Sequence, residues 1–238
     1  MKEINSFAKG LHNGLPICFG YLSVAFAFGI FAVANGLAPF EALLISAANV
    51  TSAGQLAAVP IIASGGTLAE LAVSQLVINL RYALMSVSLS QKLGKSVRLI
   101  DRFLIAFVNT DEVFAVASSQ NGAVGRRYLY GLILTPFLGW TAGTILGAVA
   151  GNLLPDIIVR ALGIAIYGMF IAIILPKAKT HRPTAICVLI AVALSCAFYY
   201  LPVLREIPRG FTIIICAVLA AAVMAVAAPV RAEEESHE

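Results

Sequence analysis

Apolar runs long enough to cross a lipid bilayer follow one another along this chain, with only short polar connections between them. The runs are Leu15–Ala34, Phe40–Ser64, Leu68–Ser90, Phe103–Ser118, Tyr128–Ala150, Ile157–Leu175, Thr184–Leu201 and Gly210–Ala228. A helix needs roughly 20 apolar residues to span the hydrocarbon core, whereas barrel strands alternate apolar and polar residues over about 10 positions. No such alternation runs through these segments. A soluble domain carries about 25% charged residues; here the share is 12%, against 60% hydrophobic. Water could not accommodate that much apolar surface at this length, and lipid can. The fold class is therefore an all-α polytopic integral membrane protein. One transmembrane transporter domain is expected over residues 1–230, with an acidic cytoplasmic tail over 231–238.

Two of the eight runs are interrupted by polar residues. Phe40–Ser64 holds Asn49-Val50-Thr51-Ser52-Ala53-Gly54-Gln55, and Phe103–Ser118 holds Asn109-Thr110-Asp111-Glu112. Free backbone groups at membrane depth need protein or water around them, so such breaks are expected in half-helices rather than in plain spans. Lysine and arginine counts discriminate between the options. If all eight runs span and the N-terminus is cytoplasmic, the loops hold eight cations inside and seven outside, leaving out Arg81, which lies within a run. If the two interrupted runs dip in and return, the loop with Lys92, Lys95, Arg98 and Arg102 moves inside and the counts become twelve and three. Positive charge collects on the cytoplasmic side, so the second arrangement is expected. It has about six full transmembrane helices, two broken or re-entrant segments, and both termini in the cytoplasm.

Ionisable groups at bilayer depth cost about 2.5–3.5 kcal/mol each on insertion scales, so they are expected to pair or to face a wet cavity. Three stand out: Arg81, in Asn79-Leu80-Arg81-Tyr82, and the adjacent Asp111 and Glu112. Arg81 is expected to meet Asp111 or Glu112 at the centre of the bundle, either as a pair that fixes helix register or as part of a solute site. Neighbouring carboxylates rarely both stay ionised in a low dielectric, which makes one of them a candidate proton carrier. A zwitterionic solute suits this chemistry. Its carboxylate would find Arg81 or the amides at a half-helix N-terminus near Gly54 and Gln55, and its ammonium Asp111, Asn79 or freed carbonyls. The candidate substrate-binding set is Asn49, Thr51, Ser52, Gly54, Gln55, Asn79, Arg81 and Thr110. Asp111, Glu112 and Arg81 form the candidate proton-coupling or ion-pair set.

Other function classes find less support. The net charge of +4 sits in loops as topology markers and gives no reason to expect nucleic acid as a partner. Four cysteines lie inside apolar runs and three histidines in a terminus or loop, without ligand spacing, so no metal and no other cofactor is expected. No P-loop is present, no nucleophile–base pair accompanies the carboxylates, and an enzyme is not expected. A channel would want a continuous polar path, where this chain concentrates polarity at one depth. Gly139, Gly143, Gly147 and Gly151 recur every four residues, a stripe suited to close packing against another span or another subunit.

Gly14-Leu15-Pro16 followed by Tyr21-Leu22-Ser23-Val24-Ala25-Phe26-Ala27-Phe28-Gly29 resembles the first span of the AzlC-type permeases. Ala53-Gly54-Gln55, Asn79-Leu80-Arg81-Tyr82 and Thr110-Asp111-Glu112-Val113-Phe114-Ala115 follow in the order and spacing of that family, so the resemblance covers nearly the whole chain. Asn79 departs from it, since an acidic residue often stands there. The resemblance implies a secondary transporter in a bacterial inner membrane that exports branched-chain amino acids, namely leucine, isoleucine and valine, with methionine or analogues as further candidates. It also implies a small AzlD-type membrane protein as partner. The alternative is a channel or carrier subunit for another small solute.

Overall fold

The computed structural model describes residues 3–155, 157–158, 168, 171, 174–176 and 178–228. Most of the expected span Ile157–Leu175 and the acidic tail at 231–238 lie outside the described residues. Helices account for the described chain: α1 Phe7–Ala34, α2 Pro39–Ala48, α3 Ser52–Ala63, α4 Leu68–Ser90, α5 Leu99–Phe107, α6 Asp111–Ser118, α7 Arg126–Leu153, α8 Arg182–Tyr200 and α9 Arg209–Ala227. Five of them, α1, α4, α7, α8 and α9, are long and apolar enough to cross a membrane. The polytopic helical class expected from the sequence is the one observed.

Both interrupted runs are broken into half-helices. In the first, α2 ends at Asn49, and α3 begins after Thr51, whose hydroxyl accepts from the Gly54 amide at 3.4 Å. In the second, α5 ends at Val108 and α6 begins after Thr110, with Asp111 and Glu112 in its first turn. Carboxylates there face the positive end of the helix dipole.

Hydrogen bonds between loops fix how these halves run. Ile4 donates to Ala123 at 2.8 Å and accepts from Gly125 at 2.7 Å, while Gly94 donates to Val124 and Val124 to Lys92, at 2.8 and 2.9 Å. The start of α1, the end of α4, the start of α5, the end of α6 and the start of α7 therefore share one face. The α5–α6 pair enters from that face and returns to it. Helix α4 has 23 residues and, at about 1.5 Å per residue, is long enough to reach the opposite face. There α1 connects to α2 through a turn at Gly36 (φ 89°), and α3 connects to α4 through one at Gly65 (φ 70°), backbone angles that suit glycine. The α2–α3 pair is thus a second hairpin, inserted from the other side. Gly210 at the start of α9 donates to Glu70 Oε1 at 2.7 Å, which places it beside the start of α4.

Helices α1 and α7 form the spine. Their contacts climb together, Gly10 against Tyr128, Gly139 against Cys18, Gly143 against Leu22 and Gly147 against Phe26, so the two run parallel. A methyl group at Gly139, Gly143 or Gly147 would collide with the carbonyl oxygens of Cys18, Leu22 or Phe26. The glycine stripe serves an internal contact, the small-residue route to close packing in lipid.

Candidate functional site

The hairpin tips meet beside the middle of α4. Ala48–Thr51 from one and Ala106, Phe107, Asn109 and Thr110 from the other, with Asn79 and Tyr82, line a hollow of about 170 Å³. Next to it lies a cavity of about 930 Å³ bounded by α1, the start of α3, α4, α6 and α7, within the range of about 300–1,000 Å³ usual for small-molecule sites.

Helix α4 presents one polar face to these tips. Gln75, Asn79, Tyr82 and Ser86 are spaced four, three and four apart, the helical repeat that keeps side chains on one side. Gln75 Oε1 accepts from Asn49 at 2.9 Å and from Asn79 at 3.2 Å, and Gln75 Nε2 donates to the Gly54 carbonyl at 2.9 Å. Asn109 of the other hairpin donates to Ser86 Oγ at 3.1 Å. Each tip is thus tied to its own polar residue on the same helix.

Charge is concentrated on the cavity wall. Arg81 Nη1 lies 2.6 Å from Asp111 Oδ2, the pairing expected from the sequence. The guanidinium also donates to Tyr82 Oη at 3.0 Å and lies 4.8 Å from that ring's centroid. Glu112 instead accepts from the Tyr21 hydroxyl, which sits 2.6 Å from Thr110 Oγ1. Tyr21 meets Trp140 edge-on at 5.0 Å between centroids. Trp140 Nε1, Asn79 Oδ1 and Asn109 Oδ1 are buried without a hydrogen-bond partner among the described residues. An unmatched buried polar atom is costly, and each of these three belongs to a residue that lines one of the two spaces.

Thr51, Ser52, Arg81, Thr110, Asp111 and Glu112 line the large cavity, and Asn49 and Asn79 line the small hollow. Gly54 and Gln55 stand behind the wall. Gln55 is fully buried with both amide atoms unpartnered, and Gly54 packs against Gln75 and Asn49. Sequence reasoning did not single out Tyr21, Gln75, Tyr82, Ser86, Asn109 or Trp140 as site residues. The polar spacing along α4 was the available signal for three of them. Among the described residues no group of three or more His, Cys, Asp or Glu comes together to hold a metal ion.

Opposed hairpins of half-helices, with unwound backbone and an ion pair beside a cavity, define a polytopic helical membrane protein with features that membrane transporters share. The chain belongs to the AzlC family, whose model, described as AzlC protein, matches residues 16–154. It is 36% identical over 181 residues to an uncharacterized membrane protein of Archaeoglobus fulgidus, covering 75% of this chain and 79% of that one. It is also 30% identical over 190 residues to the inner membrane protein YgaZ of Escherichia coli, covering 77% of each. No solved structure matches it significantly.

Proposed function

We propose that this chain is a secondary carrier that exports branched-chain amino acids (leucine, isoleucine and valine, with methionine and analogues as further substrates) across a bacterial cytoplasmic membrane. In this reading it works with a small AzlD-type membrane partner. The observation that carries the proposal is the Arg81–Asp111 pair on the wall of a mid-membrane cavity. A zwitterion needs both signs of charge within a few ångströms. Its carboxylate meets Arg81 and the Ser52 and Ala53 amides in the first turn of α3, where the dipole is positive. Its ammonium meets Asp111. Ile17, Val24, Val50 and Ile78 on the same wall offer an apolar surface to a branched side chain.

Membership of the AzlC family supports the carrier class. Orientation follows from charge. The face that carries Lys92, Lys95, Arg98, Arg126 and Arg127 is the cytoplasmic one by the positive-inside rule, and both termini are cytoplasmic.

The test is efflux of leucine, isoleucine, valine and methionine from preloaded cells, with this chain alone and with a small partner. Saturable efflux that depends on Arg81 and Asp111 is the expected result. Efflux unchanged by both Asp111→Asn and Arg81→Ala would remove the site assignment, and the absence of any amino-acid efflux would remove the substrate class.

A further inference from the structure

Asp111 and Glu112 are adjacent in sequence and differently partnered in space. Asp111 is neutralised by Arg81 at 2.6 Å, whereas Glu112 pairs with no cation among the described residues. Its partner is the hydroxyl of Tyr21, which also reaches Thr110 Oγ1 at 2.6 Å. The three groups form a chain, Glu112–Tyr21–Thr110, joining the first turn of α6 to α1 and back to the helix break.

Proton bookkeeping along this chain has two complete solutions. With Glu112 ionised, the Tyr21 hydroxyl donates to the carboxylate and its oxygen accepts from the Thr110 hydroxyl. With Glu112 protonated, the new O–H donates to the Tyr21 oxygen, and the Tyr21 hydrogen turns to Thr110 Oγ1, which now accepts. Neither arrangement leaves one of the three groups unmatched within the chain, and neither requires a heavy atom to move. The difference falls on Thr110. Its hydroxyl hydrogen is held by Tyr21 in the first state and free in the second. Thr110 does not cap α6 with its side chain, and it lines both the large cavity and the hollow between the hairpin tips.

We propose that Glu112 is the proton-carrying residue of the transport cycle, and that the Tyr21 hydroxyl conveys its protonation state to Thr110 and so to the bound solute. The inference rests on the carrier reading above. In the step itself, a proton leaves water in the cavity and adds to a Glu112 carboxylate oxygen, giving the neutral acid. The same proton returns to water when the cavity opens to the other side, and no other bond forms or breaks. Asp111 is held instead by Arg81. Among the described residues, the other charged or titratable groups on this cavity wall are Arg81 and Tyr82 of α4, Asp111 of α6 and Tyr21 of α1. From α3 and α7 come only neutral side chains, Ser52, Ala53 and Trp140.

The chain carries its own reporter. Trp140 is the single tryptophan in the sequence, and its ring meets Tyr21 edge-on at 5.0 Å. Tryptophan fluorescence of the purified full chain, titrated from neutral to acid pH, should show one protonation step in the wild type and in Asp111→Asn. Glu112→Gln should lack that step. Glu112→Asp, which keeps a carboxyl group at a shorter reach, should restore it with a shifted midpoint. A step that survives in Glu112→Gln, an unshifted midpoint in Glu112→Asp, or no step in the wild type overturns the proposal. In preloaded cells, Glu112→Gln should lose acceleration of efflux by a pH gradient by about tenfold or more. Persistence of that acceleration also overturns it. A Glu112-dependent fluorescence step without amino-acid efflux in the wild type would sink the carrier reading and leave the proton site standing.

Discussion

Arg81 and Asp111 are 51% and 46% exposed in their side chains, although they sit at mid-depth. Charges at that depth are tolerated where they face a wet cavity or each other, and here both conditions hold. A purely structural pair and a solute-binding pair respond differently to exchange of their charges. Asp111→Asn and Arg81→Ala should each lower efflux by about tenfold or more, equivalent to about 1.4 kcal/mol. Combining Arg81→Asp with Asp111→Arg should restore thermal stability but not efflux. Recovery of transport in the exchanged protein would make the pair a register device. These residues were legible in the sequence because a charge inside an apolar run has few harmless explanations. Tyr21 was not. A tyrosine among Tyr21-Leu22-Ser23-Val24-Ala25-Phe26 looks like ordinary apolar bulk, and its partner Glu112 is 91 positions away.

Among the elements, the α1–α7 contact has the least room for change. Gly143 packs on the Leu22 carbonyl, so Gly143→Leu must push two helix backbones apart. Overpacking typically costs about 1–3 kcal/mol. The expected outcome is a lower melting temperature of the purified chain, while a leucine on the exposed side of α7, as in Ala142→Leu, should matter less. An equal effect at both positions would place the stripe's importance elsewhere. The stripe was plain from its four-residue repeat, but its partner was not, because small-residue stripes serve neighbours within a chain and between chains alike. The half-helices were also foreseeable, since asparagine, threonine and glycine at the centre of an apolar run leave the backbone little reason to stay helical. The polar face of α4 was harder to see. Gln75 and Ser86 are polar residues of a kind that occur singly in many spans, and their meaning comes only from Asn49 and Asn109, which reach them across the fold.

For the whole molecule, the loop hydrogen bonds put both ends of the α5–α6 pair on one face, the arrangement that charge counting favours. Ser96→Cys and Ala123→Cys, in a background without the four native cysteines, should react with a membrane-impermeant thiol reagent from the cytoplasmic side. Ser64→Cys, at the turn before α4, should react from the opposite side. Labelling of Ser96→Cys and Ala123→Cys from different sides would mean that α5–α6 crosses instead of returning. The placement of both hairpins was beyond sequence reasoning because it depends on Ile4, Lys92, Gly94 and Val124 meeting at one face, contacts made by ordinary loop backbone without distinctive side chains. One consequence concerns α4. Gln75 holds one hairpin tip and Ser86 the other, and they ride on a single uninterrupted helix about 16 Å apart. Neither tip has a private hinge on that helix, so α4 acts as a lever with a latch on either side of its middle. A tilt that slackens one latch bears on the other, and the two hairpin tips are mechanically answerable to the same part.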